Sequence, residues 1–272
     1  MQLTISPPKL RGPLSFLLIA AAIPCAAQWL DYPTANVPRT PDGKPNLSAS
    51  APRTPDGRPD FSGIWDMERG LEPTQLAGQF TGAPEARNLA DSLKDGLPFT
   101  PWAADLLKAR AAENRVNDPL SFCLPLSLPR LHALTFKKIV QTPSLLMLAY
   151  EYNNTYRQIH IDGRALPVDP NPSWLGYSSG KWEGDTLVVL SAGFRDDLWL
   201  DNTGNPLTGD AKIIERFRRI NFGQLNIELT IDDPKAYTKP WTVTLHQKLV
   251  LNTELLENMC LENEKSTRHF HK

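Results

Sequence analysis

Along 224–232, Leu225, Ile227, Leu229 and Ile231 alternate with polar residues and define a strand face turned to the core. The matching face of 211–219 carries Ile213 and Phe217, with Glu215 between them. In 155–161, Arg157 shares the parity of Ile159 and Ile161. A carboxylate or guanidinium on a core face is costly unless paired. Arg157 and Glu215 are therefore either a structural ion pair or two groups lining a cavity, where they bind a polar ligand or assist proton transfer. A register slipped by one residue would instead turn both outward. In the cavity case acid–base work falls to Glu215 and His160, with Arg157 stabilising negative charge.

Aromatic residues form a second set: Tyr150, Tyr152, Tyr156, Trp174, Tyr177, Trp182, Trp199 and Trp241. Rings of this kind line pockets for sugars or aromatic ligands, or simply pack a core. The ligand-binding candidates are Arg157, Glu215, Tyr150, Tyr152, Trp182 and Trp241. Familiar catalytic signatures are absent: no G-x-S-x-G, no phosphate loop, no G-x-G-x-x-G and no H-E-x-x-H. No cofactor is expected. The five histidines are scattered, with His269 and His271 at the C-terminal end, so no metal site is expected. The Asp-rich turns Arg195-Asp-Asp197, Asp201-Asn-Thr-Gly204 and Asp232-Asp233 lack the spacing of a calcium loop.

The elements that must position these residues are mostly strands. From Thr135 onward the hydrophobic period is two, giving strands near 136–141, 145–152, 155–161, 176–182, 186–194, 211–219, 224–232, 241–250 and 254–260. Turn signals such as Thr142-Pro143, Asn153-Asn154 and Glu183-Gly184-Asp185 make neighbours antiparallel. A meander of this length closes or folds over to hide its edges. The expected fold is mainly β: an antiparallel up-and-down barrel or closed meander with two short helices, or alternatively a two-sheet sandwich. The helices are expected over 84–95 and 101–115, the second opened by Thr100-Pro101. Between it and the strands runs a proline-punctuated loop, Cys123 to Arg130.

The amino terminus reads as a leader over 1–27. Lys9 and Arg11 precede an apolar run from Leu14 to Ile23, and Ala26 and Ala27 supply small residues. The run is too short for a bilayer-spanning helix, which needs about 20 residues. A retained anchor is the alternative, and Cys25 raises a lipid-attachment site that Pro24 disfavours. The mature chain is expected to be periplasmic or secreted, with no membrane span. Residues 28–60 read as a linker with seven prolines and a two-copy repeat, Pro38-Arg-Thr-Pro-Asp-Gly-Lys-Pro45 and Pro52-Arg-Thr-Pro-Asp-Gly-Arg-Pro59. A single β-rich domain is expected over 61–272. Loss of the leader leaves Cys123 and Cys260, a natural disulfide pair in an oxidising compartment, or else two buried thiols. A net charge of −1 offers no field for nucleic acid or an anionic membrane. Composition does not set the oligomeric state.

Gly63-Ile-Trp65, placed before the meander, resembles the G-x-W signature of lipocalin-like (calycin) barrels, in which the Trp closes one barrel end. A wider set of strings includes Pro52-Arg-Thr-Pro-Asp-Gly57, Phe61-Ser-Gly-Ile-Trp65, Tyr150-Glu-Tyr-Asn153, Trp182-Glu-Gly-Asp-Thr-Leu-Val-Val189, Glu215-Arg-Phe217 and Ile231-Asp-Asp-Pro234. Together they resemble a large family of exported bacterial proteins with no assigned function, over roughly Pro52 to Lys265. The resemblance implies an exported single domain whose pattern includes both Cys123 and Cys260, and it implies no reaction. In that pattern a histidine follows Gly-x-Pro, whereas here Gly204-Asn-Pro206 runs into Leu207. That departure weakens an enzyme reading built on the histidine. The leading expectation is a barrel that binds a small, partly apolar ligand. The alternatives are a hydrolase, lyase or isomerase acting on a sugar-like or aromatic substrate, and an interaction protein of the cell envelope.

Overall fold

The structure, a computed structural model, describes residues 32–68, 89 and 93–262. The leader expected over 1–27, most of the helix expected over 84–95, and His269 and His271 lie outside the described residues. Nine strands close a barrel: β1 (Gly63–Met67), β2 (Lys137–Gln141), β3 (Leu145–Tyr150), β4 (Tyr156–His160), β5 (Tyr177–Glu183), β6 (Thr186–Ala192), β9 (Lys212–Arg219), β10 (Gln224–Asp232) and β11 (Trp241–Val250). Two short strands, β7 (Leu198–Trp199) and β8 (Pro206–Leu207), pair with each other in the excursion between β6 and β9. The closed barrel excludes the sandwich. The order around it is β1-β11-β10-β9-β6-β5-β4-β3-β2.

Alternation follows the sequence pattern. In β10 Leu225, Ile227, Leu229 and Ile231 are fully buried, and in β9 Ile213, Glu215 and Phe217 are too. Glu215 lies in register with Leu229 on one side and Val189 on the other, which fixes it on the inner face. Among the strands, β4 and β5 run parallel where antiparallel neighbours were expected, and two further details depart from the sequence reading. Residues 254–260 form no strand, and the chain instead lies along the 3₁₀ turn Tyr152–Asn154, with Leu256 donating its amide to Glu151 Oε1 at 2.9 Å. The ninth strand is β1, whose run of four buried residues shows no period of two because both of its faces are covered.

Gly63 opens β1 at φ +136°, a conformation for which glycine is suited, and a Cβ there would lie 2.7 Å from Leu249 Cδ1. Trp65 follows, fully buried, with Nε1 donating to Phe61 O at 2.9 Å. Arg219 lies over its ring at 4.9 Å and over Phe222 at 5.4 Å. Its guanidinium donates to the carbonyls of Asp60, Asn221 and Phe222. Burial lowers Arg219 to about 10. The end of the barrel is thus tied to the chain that precedes it.

Helix α1 (Pro101–Ala112) starts where Thr100 Oγ1 accepts from Ala103 N and Pro101 takes the first position. A second helix, α2 (Leu128–Leu134), begins within the stretch expected as a loop and runs past its end at Arg130, with Leu128 to Ala133 all buried. Ser127 precedes it, and its hydroxyl bonds Trp199 O at 2.6 Å rather than capping the helix. Arg130 holds α2 through a bidentate pair with Asp118, both contacts 2.7 Å, and through Asn202 at 2.6 Å. Helix α2 sets His132 against Tyr150 of β3 and Phe217 of β9, so it occupies one mouth of the barrel. Cys123 and Cys260 form a disulfide. Asn153 ties the same two segments, donating to Cys123 O at 2.7 Å and accepting from Cys260 N at 3.2 Å.

The two Pro-Asp-Gly repeats adopt the same turn. Thr40 N donates to Lys44 O and Thr54 N to Arg58 O, each at 2.9 Å. The second turn is latched to the barrel by Arg53, which bonds Asp185 at 2.9 and 2.7 Å. After the first turn, Ala49 and Leu47 carbonyls accept the amides of Phe222 and Gly223. Among the described residues no helix is long and apolar enough to cross a membrane.

Candidate functional site

The barrel interior carries one polar layer. Arg157 projects inward from β4, opposite Leu148, and Glu215 inward from β9. Arg157 NH1 donates to Glu215 Oε1 at 2.9 Å, and NH2 bonds the other carboxylate oxygen. The remaining guanidinium donors go to Ser178 Oγ on β5, at 3.1 and 3.0 Å, and Ser191 Oγ on β6, at 2.9 Å. The two hydroxyls lie 2.9 Å apart. His132 Nε2 meets Glu215 Oε1 at 2.9 Å.

Electrostatics fix the protonation states. Burial alone would raise Glu215, but the Arg157 charge and the hydrogen bonds from His132 and Arg157 outweigh it and leave the carboxyl at about 2. Burial lowers His132 to about 4, despite the carboxylate beside it. The imidazole is therefore neutral near pH 7. A carboxylate only accepts, so Nε2 carries the proton. Glu215, locked as an anion, has no proton to give at neutral pH and little basicity with which to take one. General acid–base chemistry needs the reverse arrangement, a carboxyl raised toward the working pH.

Next to this layer, Lys137 Nζ bonds Gln247 Oε1 at 2.5 Å and His132 O at 3.2 Å. Among the described residues, His132 Nδ1, Tyr150 Oη and Gln247 Nε2 are buried without a hydrogen-bond partner. The interior thus keeps unused hydrogen-bonding capacity beside the ion pair. Among the described residues no group of His, Cys, Asp and Glu is arranged to hold a metal.

Open space lies outside this layer: a cleft of ≈ 620 Å³ between helix α1 and residues 93–99, away from the ion pair, and a second at the barrel wall against Arg157. Strand β5 runs parallel to β4 and pairs with it only at Ile159↔Ser178 and His160↔Ser179. Beyond those pairs the strands diverge, and a cleft of ≈ 630 Å³ fills the seam. Its inner boundary is Arg157 and Ser178, its sides are Tyr156, His160 and Tyr177, and its rim is the segment Arg164 to Pro167. Tyr156 is 63 % exposed. His160 is half-buried, and its ring has no hydrogen-bond partner among the described residues. Gly176 leads into β5 at φ +62°, and a Cβ there would lie 2.7 Å from the Ala192 carbonyl, so this approach requires glycine.

The chain matches no protein-family model, no curated protein and no solved structure.

The function therefore has to be read from the site itself. Of the residues singled out from sequence, Arg157, Glu215 and Tyr150 meet in the interior layer, while His160 faces the seam cleft with Arg157 at its floor. The other rings lie elsewhere. Tyr152 sits in the turn beside the disulfide, with its hydroxyl on Leu124 O at 3.1 Å. Trp182 stacks on Phe61 at 5.4 Å under Arg58 and borders a separate ≈ 250 Å³ pocket against the second Pro-Asp-Gly turn. Trp241 packs edge-on to Tyr237 at 5.5 Å. Sequence reasoning did not find His132, Ser178 and Ser191. Both serines sit on the inward parity of their strands, a signal as readable as that of Arg157. His132 lies in the short stretch between the expected loop, which ends at Arg130, and the expected strands, which begin at Thr135, and the sequence pattern marks no element there.

Proposed function

We propose that the protein is an exported barrel that binds a small, partly apolar ligand, and that the ligand sits in the β4–β5 seam cleft rather than in the barrel lumen. The observation that carries this reading is the cleft itself. Its ≈ 630 Å³ lies within the range of small-molecule sites, roughly 300–1,000 Å³. Its lining mixes Tyr156, Tyr177, Leu166 and Leu175 with Arg157, His160 and Ser178, the apolar walls and few polar anchors such sites use. The interior layer serves this site as a foundation: Ser178, on the cleft boundary, is held by Arg157, which is held in turn by Glu215. The Cys123–Cys260 disulfide supports export, since such bonds persist in oxidising compartments.

The test is a fragment screen by ligand-observed NMR on the protein and on Gln158→Trp. Gln158 is exposed on the outer face of β4 and lines the cleft, so the indole would fill it. Hits that bind the wild type and are lost in the variant, with unchanged thermal stability, support the reading. A hit set unaffected by the filled cleft would move the site elsewhere, and an absence of hits would remove the binding function.

A further inference from the structure

The cleft also has a sign. None of its lining residues is Asp or Glu, whereas Arg157, Arg164 and His160 all line it. The main chain adds donors. Tyr150 N bonds Thr155 O and Ile161 N bonds Ser144 O, so residues 155, 157, 159 and 161 turn their peptide groups toward β3. Those of Tyr156, Gln158 and His160 consequently face β5. The Ile159↔Ser178 bridge uses the Gln158 carbonyl and the His160 amide, so among the described residues the Tyr156 and Gln158 N–H groups, with the Tyr156 carbonyl, face the cleft without a ladder bond. Arg157 is already committed to Glu215 and the two serines. Arg164 is different: it is exposed and, among the described residues, its guanidinium pairs with its near neighbour Asp162 alone, at 3.0 and 2.6 Å, and Asp162 does not line the cleft. An exposed pair of this kind is weak and exchangeable.

We infer that the cleft takes a carboxylate-bearing ligand, its carboxylate received by Arg164, His160 and the free β4 amides, and its apolar body laid between Tyr156 and Tyr177. This rests on the binding reading above and adds the charge of the ligand to it. Uncharged amides of the same shape lack the charge-assisted hydrogen bonds that a guanidinium makes to a carboxylate. Phosphate-sized dianions lack the apolar body the walls are built for.

The experiment titrates the ¹⁵N-labelled protein with 3-phenylpropionate, with 3-phenylpropanamide and with inorganic phosphate, following amide shifts along 156–160 and 176–179. The expected result is saturable shifts there with phenylpropionate, and binding at least about tenfold weaker for the amide and for phosphate. Arg164→Gln should weaken phenylpropionate about tenfold and leave phenylpropanamide unchanged, a split that a merely structural role would not give. Equal binding of acid and amide, both mapped to the cleft, overturns this inference and leaves the binding reading standing. Shifts with neither phenyl compound overturn both. Phosphate binding as tightly as phenylpropionate would overturn the assignment to a ligand with an apolar body.

Discussion

Glu215→Gln is the most informative single change in this molecule. Oε1 of Glu215 receives Arg157 NH1 and His132 Nε2, each at 2.9 Å, and the other oxygen receives Arg157 NH2. An amide in that place must turn its NH₂ toward at least one of these donors. In one orientation it confronts Arg157 NH2, and in the other it confronts NH1 and the imidazole together. Retautomerising His132 would relieve only the imidazole clash, because the guanidinium has no acceptor. The substitution also leaves Arg157, whose side chain is 2 % exposed, without a counter-charge. Charges about 4 Å apart at an effective dielectric near 20 attract by about 4 kcal/mol, and breaking one side of a buried pair costs about 3–5 kcal/mol. For a domain of this size that corresponds to a fall in Tm of roughly 6–20 °C. The assay is urea denaturation of the oxidised protein, with Glu228→Gln as control. Glu228 lies on the outer face of β10, 3.9 Å from Arg216, half-exposed, and its loss should cost under about 0.5 kcal/mol. The double change Arg157→Met with Glu215→Leu should recover much of the loss, since it removes both charges at once. If Glu215→Gln costs no more than about 1 kcal/mol above the control, the interior layer is not a desolvated ion pair and the argument built on it fails.

Two further outcomes follow from the same geometry. His132 titrates at about 4 in the fold against an ordinary 6.5. The unfolded chain therefore takes up this proton first, and the stability tied to it is complete above pH 6.5 and lost as pH falls toward 4, by about 3 kcal/mol. Glu215, held at about 2 against 4.5, adds a second loss only below pH 4.5. Urea titrations at pH 7.5 and 4.5 should show the first drop, and His132→Gln should shrink it; an unchanged drop in the variant would assign it to other groups. Reducing the Cys123–Cys260 bond, which closes 137 residues of sequence, should destabilise the fold by about 3–5 kcal/mol, read as a lower urea midpoint with a steeper slope, since the reduced unfolded chain exposes more surface. A midpoint that does not move would mean that the Asn153 bonds and local packing already hold the two segments together.

Much of the barrel was legible because its strands cover one face each. Where inside and outside differ, as in Leu225 to Ile231, the period of two is written in the residues, and the inward parity of Arg157 and Glu215 can be read with it. Legibility failed where that contrast vanishes. Strand β1 is covered on both faces, so its burial runs unbroken from Ile64 to Met67, Asp66 included, and no period of two appears. Helix α2 is buried all round, so it has no polar face to set a helical period. Ser127 with Pro129 was the one start signal available, and the neighbouring prolines masked it. The stretch 254–260 fails in the opposite way: Leu256 and Met259 are exposed, and the segment is tied to residues 151–154 by hydrogen bonds without joining the ladder. The aromatic set scattered because ring identity says nothing of facing. Tyr150 points in and Tyr156 points out, six residues apart on paired strands. The seam escaped because β4 and β5 are joined by the long connection 161–176, to which rules for tight hairpins do not apply.

The seam has a reason that lies in counting. Around a closed ring, strands that alternate in direction must be even in number. This ring has nine, so at least one neighbouring pair has to run the same way, and eight antiparallel contacts leave β4 and β5 as that pair. The mismatch cannot be repaired by any choice of side chain. It can only be moved to another pair, or abolished by gaining or losing a whole strand. The chain confines it to two residue pairs and lets the wall part beyond them. A parallel contact placed by arithmetic in this way persists through sequence drift around it, so the residues along the seam are free to change while one same-direction pair stays in the ring.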